Sequence, residues 1–204
     1  MRHTAAADTA RRYLPAGVRR QQILEAAAAL AIRDGLESTT IAGVAAEAGV
    51  AKGAIYLHFA SRGQLIAGLQ ALVWAQMMEQ PRVVAHDAAV PWAERLDAVV
   101  AHWMRFELEN QSLYHAVFHT VPTESDEPLM ETREVLSDLL TGGVAADEFD
   151  LRGIDTATAV EFLLHAYVGP CFHTGHDQGR VITDVQRLFR RAVGARDSAV
   201  VEDG

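Results

Sequence analysis

Apolar residues recur every three to four positions along almost the whole chain. No segment alternates in the two-residue rhythm of a strand, and none carries a hairpin signal. That period sets the expected fold class, all-α. Over residues 18–33 it puts Ile23, Ala27, Leu30 and Ala31 on one face. Asp34-Gly35 follows as a stop, with Gly35 suited to a left-handed C-cap. Thr39 and Thr40 are candidate N-caps for a helix that buries Ile41, Val44, Ala45 and Ala48, and Gly49 ends it. A short helix is expected over residues 52–57. Ser61 then caps a long helix that Pro81 should end, because proline lacks the N–H a helix interior uses.

Five further helices are expected. One covers 91–109 with Leu96, Val99, Trp103 and Phe106 as its apolar face, and one covers 112–121, stopped by Pro122. A third covers 128–140, closed by Gly142-Gly143. A fourth starts at Asp155 or Thr156 and ends or kinks at Pro170. The last covers 181–193, with Ile182, Val185, Phe189 and Ala192 aligned. There is no internal repeat.

With 204 residues, half of them hydrophobic, the chain can bury a substantial core. The ends are small, polar and aperiodic, so residues 1–17 are expected as a flexible arm and 196–204 as a flexible tail. Cys171 stands alone, which rules out an intrachain disulfide and fits a reducing compartment. The longest uncharged stretches, 63–78 and 162–176, are too short and too polar to span a membrane, and the first residues lack the apolar core of a signal peptide. A soluble, cytoplasmic protein with no membrane partner is expected. No nucleophile motif or glycine-rich phosphate loop is present, so neither enzymatic activity nor a cofactor is expected.

The net charge of −9 argues at first against a nucleic-acid partner, but its distribution matters more. Residues 1–65 hold eight Lys or Arg against five Asp or Glu, whereas 66–204 hold ten against twenty-two. A mildly basic head thus precedes an acidic body. Residues 48–78 contain no acid at all, and inside that window lies Lys52, the one lysine of the chain.

The two short helices around Gly49 form a helix-turn-helix candidate. DNA binding asks three things of such a unit: a second helix that enters the major groove, small residues that let its backbone approach, and cations or donors for phosphates. Ala51, Gly53 and Ala54 are small. Lys52 sits in a first turn, where the helix dipole disfavours a cation, so an external anion is its natural partner. Tyr56 is long enough to bring a hydroxyl to a phosphate. Thr39, Thr40 and Arg62 stand at helix starts, where hydroxyls, free amides and charge can meet phosphates. A plain helical hairpin is the alternative reading of the same spacing.

An ordered set of residues narrows this. Ile23-Leu24-Glu25-Ala26-Ala27, Gly35, Thr39-Thr40, Ala45, Ala48-Gly49-Val50, Gly53, Ile55-Tyr56, His58-Phe59, Ser61 and Leu65 together resemble the DNA-binding head of the TetR family of bacterial transcriptional regulators. The resemblance spans about fifty residues, roughly a quarter of the chain. It implies a homodimeric repressor, less often an activator, on a near-palindromic double-stranded operator, released when a small-molecule effector enters the helical body. It divides the chain into a head over 18–65 and a ligand-binding and dimerisation body over 66–195. By position, Lys52, Gly53, Ala54, Tyr56 and His58 fall on the recognition helix or its end, and Thr39, Thr40 and Arg62 on phosphate-facing positions. Two residues depart from the pattern: Ala51 replaces the usual Ser or Thr, and Arg62 the usual lysine. The recognition helix has few long polar side chains, so apolar contacts with thymine methyls and DNA shape are expected to carry much of the specificity.

In the body, the last two long helices resemble in place the pair that forms a four-helix bundle between family subunits. Val160, Leu164, Tyr167, Val185, Phe189 and Ala192 are the expected dimer residues. Packing within one subunit is the alternative. His102, Trp103, Phe106, Tyr114, Phe118, Phe162 and His165 are candidates to line an effector pocket, or else ordinary core aromatics with polar neighbours. His115 and His119, and Glu161 and His165, stand four apart, a spacing compatible with a metal. A metal-sensing regulator or metal-binding protein is therefore the alternative function.

Overall fold

The computed structural model describes residues 15–118, 127–171 and 177–196, and these hold ten helices and no strand. In chain order they are α1 (Ala16–Asp34), α2 (Ile41–Glu47), α3 (Lys52–Tyr56), α4 (Arg62–Ala85), α5 (Trp92–Glu109), α6 (Gln111–Phe118), α7 (Glu127–Ala145), α8 (Thr156–Ala166), α9 (Val168–Cys171) and α10 (Gln178–Ala192). The expected arm and tail lie almost wholly outside the described residues, as do His119, His173 and His176. The described chain forms two compact units. One holds α1 to α3, α4 up to Val73, and α6; the other holds the rest.

The first unit is built on Ile23, Leu24, Val44, Ile55 and Leu65, all fully buried. Its caps follow the sequence. Thr40 Oγ1 accepts the Gly43 amide at 3.0 Å, and Ser61 Oγ accepts that of Gln64 at 3.1 Å. Gln64 Oε1 reaches back to accept the Ala60 amide at 2.9 Å, so donors on both sides of the α4 start are satisfied. Gly49 turns the chain between α2 and α3 at φ 65, a conformation that side chains disfavour. Gln22 Nε2 donates to the Ala48 carbonyl at 3.0 Å and ties α1 to the end of α2.

Several expected helix ends differ. α10 begins at Gln178, not 181, with Asp177 as its cap, and α8 ends at Ala166, short of Pro170, which lies inside α9. α4 does not stop at Pro81 but runs through it to Ala85. A proline there lacks the N–H that would bond the Met77 carbonyl, four residues back. The ring of His102, on α5, bonds to the Met77 backbone instead, so that group is not left unpaired. Likewise α7 passes through Gly142 and Gly143 to Ala145. Those glycines serve close approach. A Cβ on Gly142 would stand 2.2 Å from the Trp92 ring, and one on Gly143 2.1 Å from that of Phe149.

In the second unit α10 packs on α5. Ile182, Val185 and Phe189 point inward, while Arg180, Asp184 and Arg187 pair with one another on the solvent side. Gln186 Nε2 donates to the Asp97 carbonyl at 2.9 Å, and Arg190 Nε to the Asp97 carboxylate at 2.8 Å. No described helix is long and apolar enough to cross a membrane.

Candidate nucleic-acid interface

The geometry of α3 follows from its two anchors. Ile55 is fully buried and Phe59 nearly so, and the amides of His58 and Phe59 both bond to the Ile55 carbonyl at 2.9 Å. Arg20 stands over the Phe59 ring, 5.0 Å from its centroid, and closes the anchor from outside. With one side of a five-residue helix fixed inward, the rest faces solvent. Lys52, Gly53 and Tyr56 are exposed, Ala54 and His58 half-buried. A Cβ on Gly53 would meet nothing within 4 Å. The N-cap, Ala51, offers no side-chain bond to the helix amides.

Lys52, Tyr56 and His58 make no hydrogen bond or ion pair with another described residue. Elsewhere in the head the basic side chains are engaged. Arg33 is held by Asp34 and Glu47, which raise its pKa, and Arg19 donates to Gln22 Oε1 at 2.6 Å. The α3 surface therefore presents a free cation, a free phenol and a free imidazole in a window without acids. Such a surface suits phosphate oxygens.

Three residues expected to face phosphates divide between two roles. Thr40 is exposed and caps α2. Thr39 is buried, its hydroxyl donating to the Gly35 carbonyl at 3.2 Å. Arg62 is turned toward the protein: Nε donates to the Thr39 carbonyl at 2.8 Å and Nη2 to that of Leu36 at 2.6 Å. Position at a helix start did not reveal this, because the acceptors belong to a loop 23 and 26 residues earlier. One exposed neighbour, Leu57, was not singled out by its residue type; it is 83% exposed.

The body residues are placed as follows. In the first unit the Tyr114 and Phe118 rings lie 4.8 Å apart. In the second, Trp103 is fully buried with its ring 5.9 Å from that of Tyr167, and His102 and Phe106 stack at 6.5 Å. Burial, and then Arg105, lower the pKa of His102. Its Nε2, Trp103 Nε1 and Glu107 Oε2 are buried without partners among the described residues. Glu107, which the sequence reading passed over, is buried on the same helix; burial pushes its carboxyl up to about 7, and the Cys171 thiol donates to it. Burial, then Glu107, push that thiol up to about 12.

Phe162 is 63% exposed and stands with Ile154, Thr158, Ala159 and Ala192 around an apolar hollow of about 330 Å³. His165 is exposed, its Nδ1 2.8 Å from the Glu161 carbonyl. Arg133 holds the Glu161 carboxylate and lowers its pKa. Among the described residues no three His, Cys, Asp or Glu side chains gather as a metal site. Of the residues expected between subunits, Val160, Leu164, Tyr167, Val185 and Phe189 are buried inside their own unit, and only Ala192 is exposed. An amphipathic helix satisfies its own core first, so its strongest apolar stripe faces inward.

Residues 23–69 match the family model described as bacterial regulatory proteins, tetR family. Over that segment the head matches the TetR family. Solved structures that share the fold of the whole chain are regulators with the same TetR-like plan. FadR of Bacillus subtilis, in complex with stearoyl-CoA, superposes with a TM-score of 0.74 at 19% identity, covering 85% of this chain and 98% of that one. SmeT of Stenotrophomonas maltophilia, repressor of the multidrug efflux pump SmeDEF, gives 0.74 at 21% identity, covering 91% and 94%. A TetR/AcrR-family regulator of Thermobifida fusca gives 0.70 at 24% identity, covering 88% and 99%. No curated protein matches the chain in sequence. The matched segment contains α2, α3 and the start of α4, so the exposed face of α3 lies within the part of the chain that matches the family.

Proposed function

We propose that the chain is a homodimeric transcriptional regulator that represses from a near-palindromic operator and leaves it when a small molecule enters the helical body. The observation that carries this reading is the α3 surface, where Lys52, Tyr56 and His58 lack protein partners within a TetR-family head. Lys52, Tyr56, His58 and Thr40 meet phosphates, and Gly53 and Ala54 allow the backbone close to the bases. Thr39 and Arg62 act from behind, by holding the loop that sets the start of α2. The division into a head over 18–65 and a body over 66–195 belongs to the same reading.

Selection of bound sequences from random double-stranded DNA tests it. The expected outcome is a two-fold related pair of half-sites, with affinity that falls steeply as salt rises. Recovery of no preferred sequence would overturn it.

For the effector, the α5 groups are the candidate contacts: His102, Trp103 and Glu107 carry buried hydrogen-bonding atoms without partners among the described residues, with Phe106 beside His102. For the dimer, the outward residues of the α8–α10 region, Ile154, Phe162, Leu188 and Ala192, are the apolar surface left to a second copy.

A further inference from the structure

We propose that Leu57 is a specificity-determining residue that reads thymine 5-methyl groups in the major groove. This rests on the DNA-binding reading of the head. Leu57 is the most exposed large hydrophobic residue described in the chain. It continues the helical turn of α3 at φ −70 and ψ −19. At about 100° per residue it stands roughly 200° round the helix from the buried Ile55. Gly53, one turn earlier, lies on the same outward line, and space is open where its Cβ would be. Nothing covers the bare backbone of Gly53, so this line of the helix is open to a partner from Gly53 to Leu57.

The outermost line of the helix thus has no hydrogen-bonding side chain, while the polar residues stand to its flanks. Lys52 and Tyr56 are on one side and His58 on the other, placed to straddle the groove and hold phosphates. The face between them offers only apolar surface. In the major groove the thymine 5-methyl is the one apolar group that projects from a base edge, while cytosine has only a hydrogen at that position beside its amino donor. Against cytosine or guanine, Leu57 would strip water from an amino or carbonyl group and return no bond. Against thymine it removes apolar surface on both sides from water. A leucine 83% exposed in the free protein also has most of its surface left to bury on binding.

The test uses the full-length protein and an operator obtained by selection. Each thymine is replaced in turn by deoxyuridine, which removes the methyl and leaves base pairing unchanged. Affinities are measured at fixed salt for the parent and for Leu57→Ala. One methyl is worth about a fourfold change in affinity. At one thymine position per half-site the parent should therefore lose about fourfold on replacement, while Leu57→Ala should bind thymine and uracil alike there. The melting temperature of the variant should match the parent, since the side chain packs on little. A parent indifferent to every replacement, or a variant that keeps all the parent's losses, overturns the inference. A parent that selects no sequence overturns the regulator reading itself, before Leu57 is tested.

Discussion

Glu107 shows how a single buried group couples the body to pH. Its carboxyl is raised from the ordinary range to about 7, first by burial and in spite of the Cys171 thiol that favours the anion. The unfolded chain holds fewer protons than the folded one between about pH 4.5 and 7. Stability from the protonated carboxyl is therefore full below that window and lost as pH rises through it. Glu107→Gln keeps a neutral side chain at every pH. Thermal melts should show the variant more stable than the parent at pH 8, by roughly 2–3 kcal/mol, and close to it at pH 4.5. Equal pH slopes for the two proteins would mean that the carboxyl is solvated. At the α3 surface the expectation is reversed: Lys52→Ala and Tyr56→Ala remove side chains that hold nothing within the head. Gel-shift titrations should show weaker operator binding, with stability changed by no more than about 0.5 kcal/mol. Normal operator affinity in both variants would move the recognition surface elsewhere.

Among the elements, the loop from Gly35 to Thr40 depends on a side chain from another helix. Arg62, at the start of α4, donates to two of its carbonyls and so fixes where α2 begins. Hydrogen bonds from a charged group are worth about 1.5–3 kcal/mol. Arg62→Ala should lower the stability of the chain by about that amount in urea unfolding, which a residue acting on phosphate alone would not do. Lysine should restore only part of the loss, because an ammonium cannot reproduce the planar fork. At the other end of the chain, α7 tolerates two consecutive glycines because two aromatic rings occupy the space of their missing side chains. Gly142→Ala forces a methyl onto Trp92, and the cost expected from overpacking is about 1–3 kcal/mol. A neutral result, despite the better helix propensity of alanine, would mean that the Trp92 ring is free to move.

At the scale of the whole molecule, charge and apolar surface are distributed unevenly. Residues 1–65 carry a small excess of basic residues and residues 66–204 a large excess of acids, so an operator is expected to be drawn to the head and repelled by the body. Subunit pairing is expected to rest on outward residues. Phe162→Glu should shift the protein toward monomer in sedimentation experiments and leave the melt of the subunit nearly unchanged, since that ring is 63% exposed. Phe189→Ala should do the opposite, costing about 3–5 kcal/mol of stability through a cavity in the subunit's own core. A dimer that survives Phe162→Glu would place the interface away from α8.

Period, caps and turn residues by themselves determined the all-helical class, the starts of α2, α4 and α8, and the position of the helix-turn-helix. These are local properties: a cap bonds an amide three residues away, and an apolar stripe repeats within one helix. The same local reading singled out Lys52, Tyr56 and His58, which the structure leaves without hydrogen-bond or ion-pair partners among the described residues. Tertiary structure decided whatever depends on a partner distant in sequence. It ran α4 through Pro81, with His102 bonded to the Met77 backbone, and α7 through its glycines, with Trp92 and Phe149 packed on them. It turned Arg62 inward to a loop and buried the stripe expected between subunits. It also singled out Leu57 and Glu107, one exposed and one buried against the habit of its residue type. Burial is a property of how helices pack, and no spacing along a single helix specifies it.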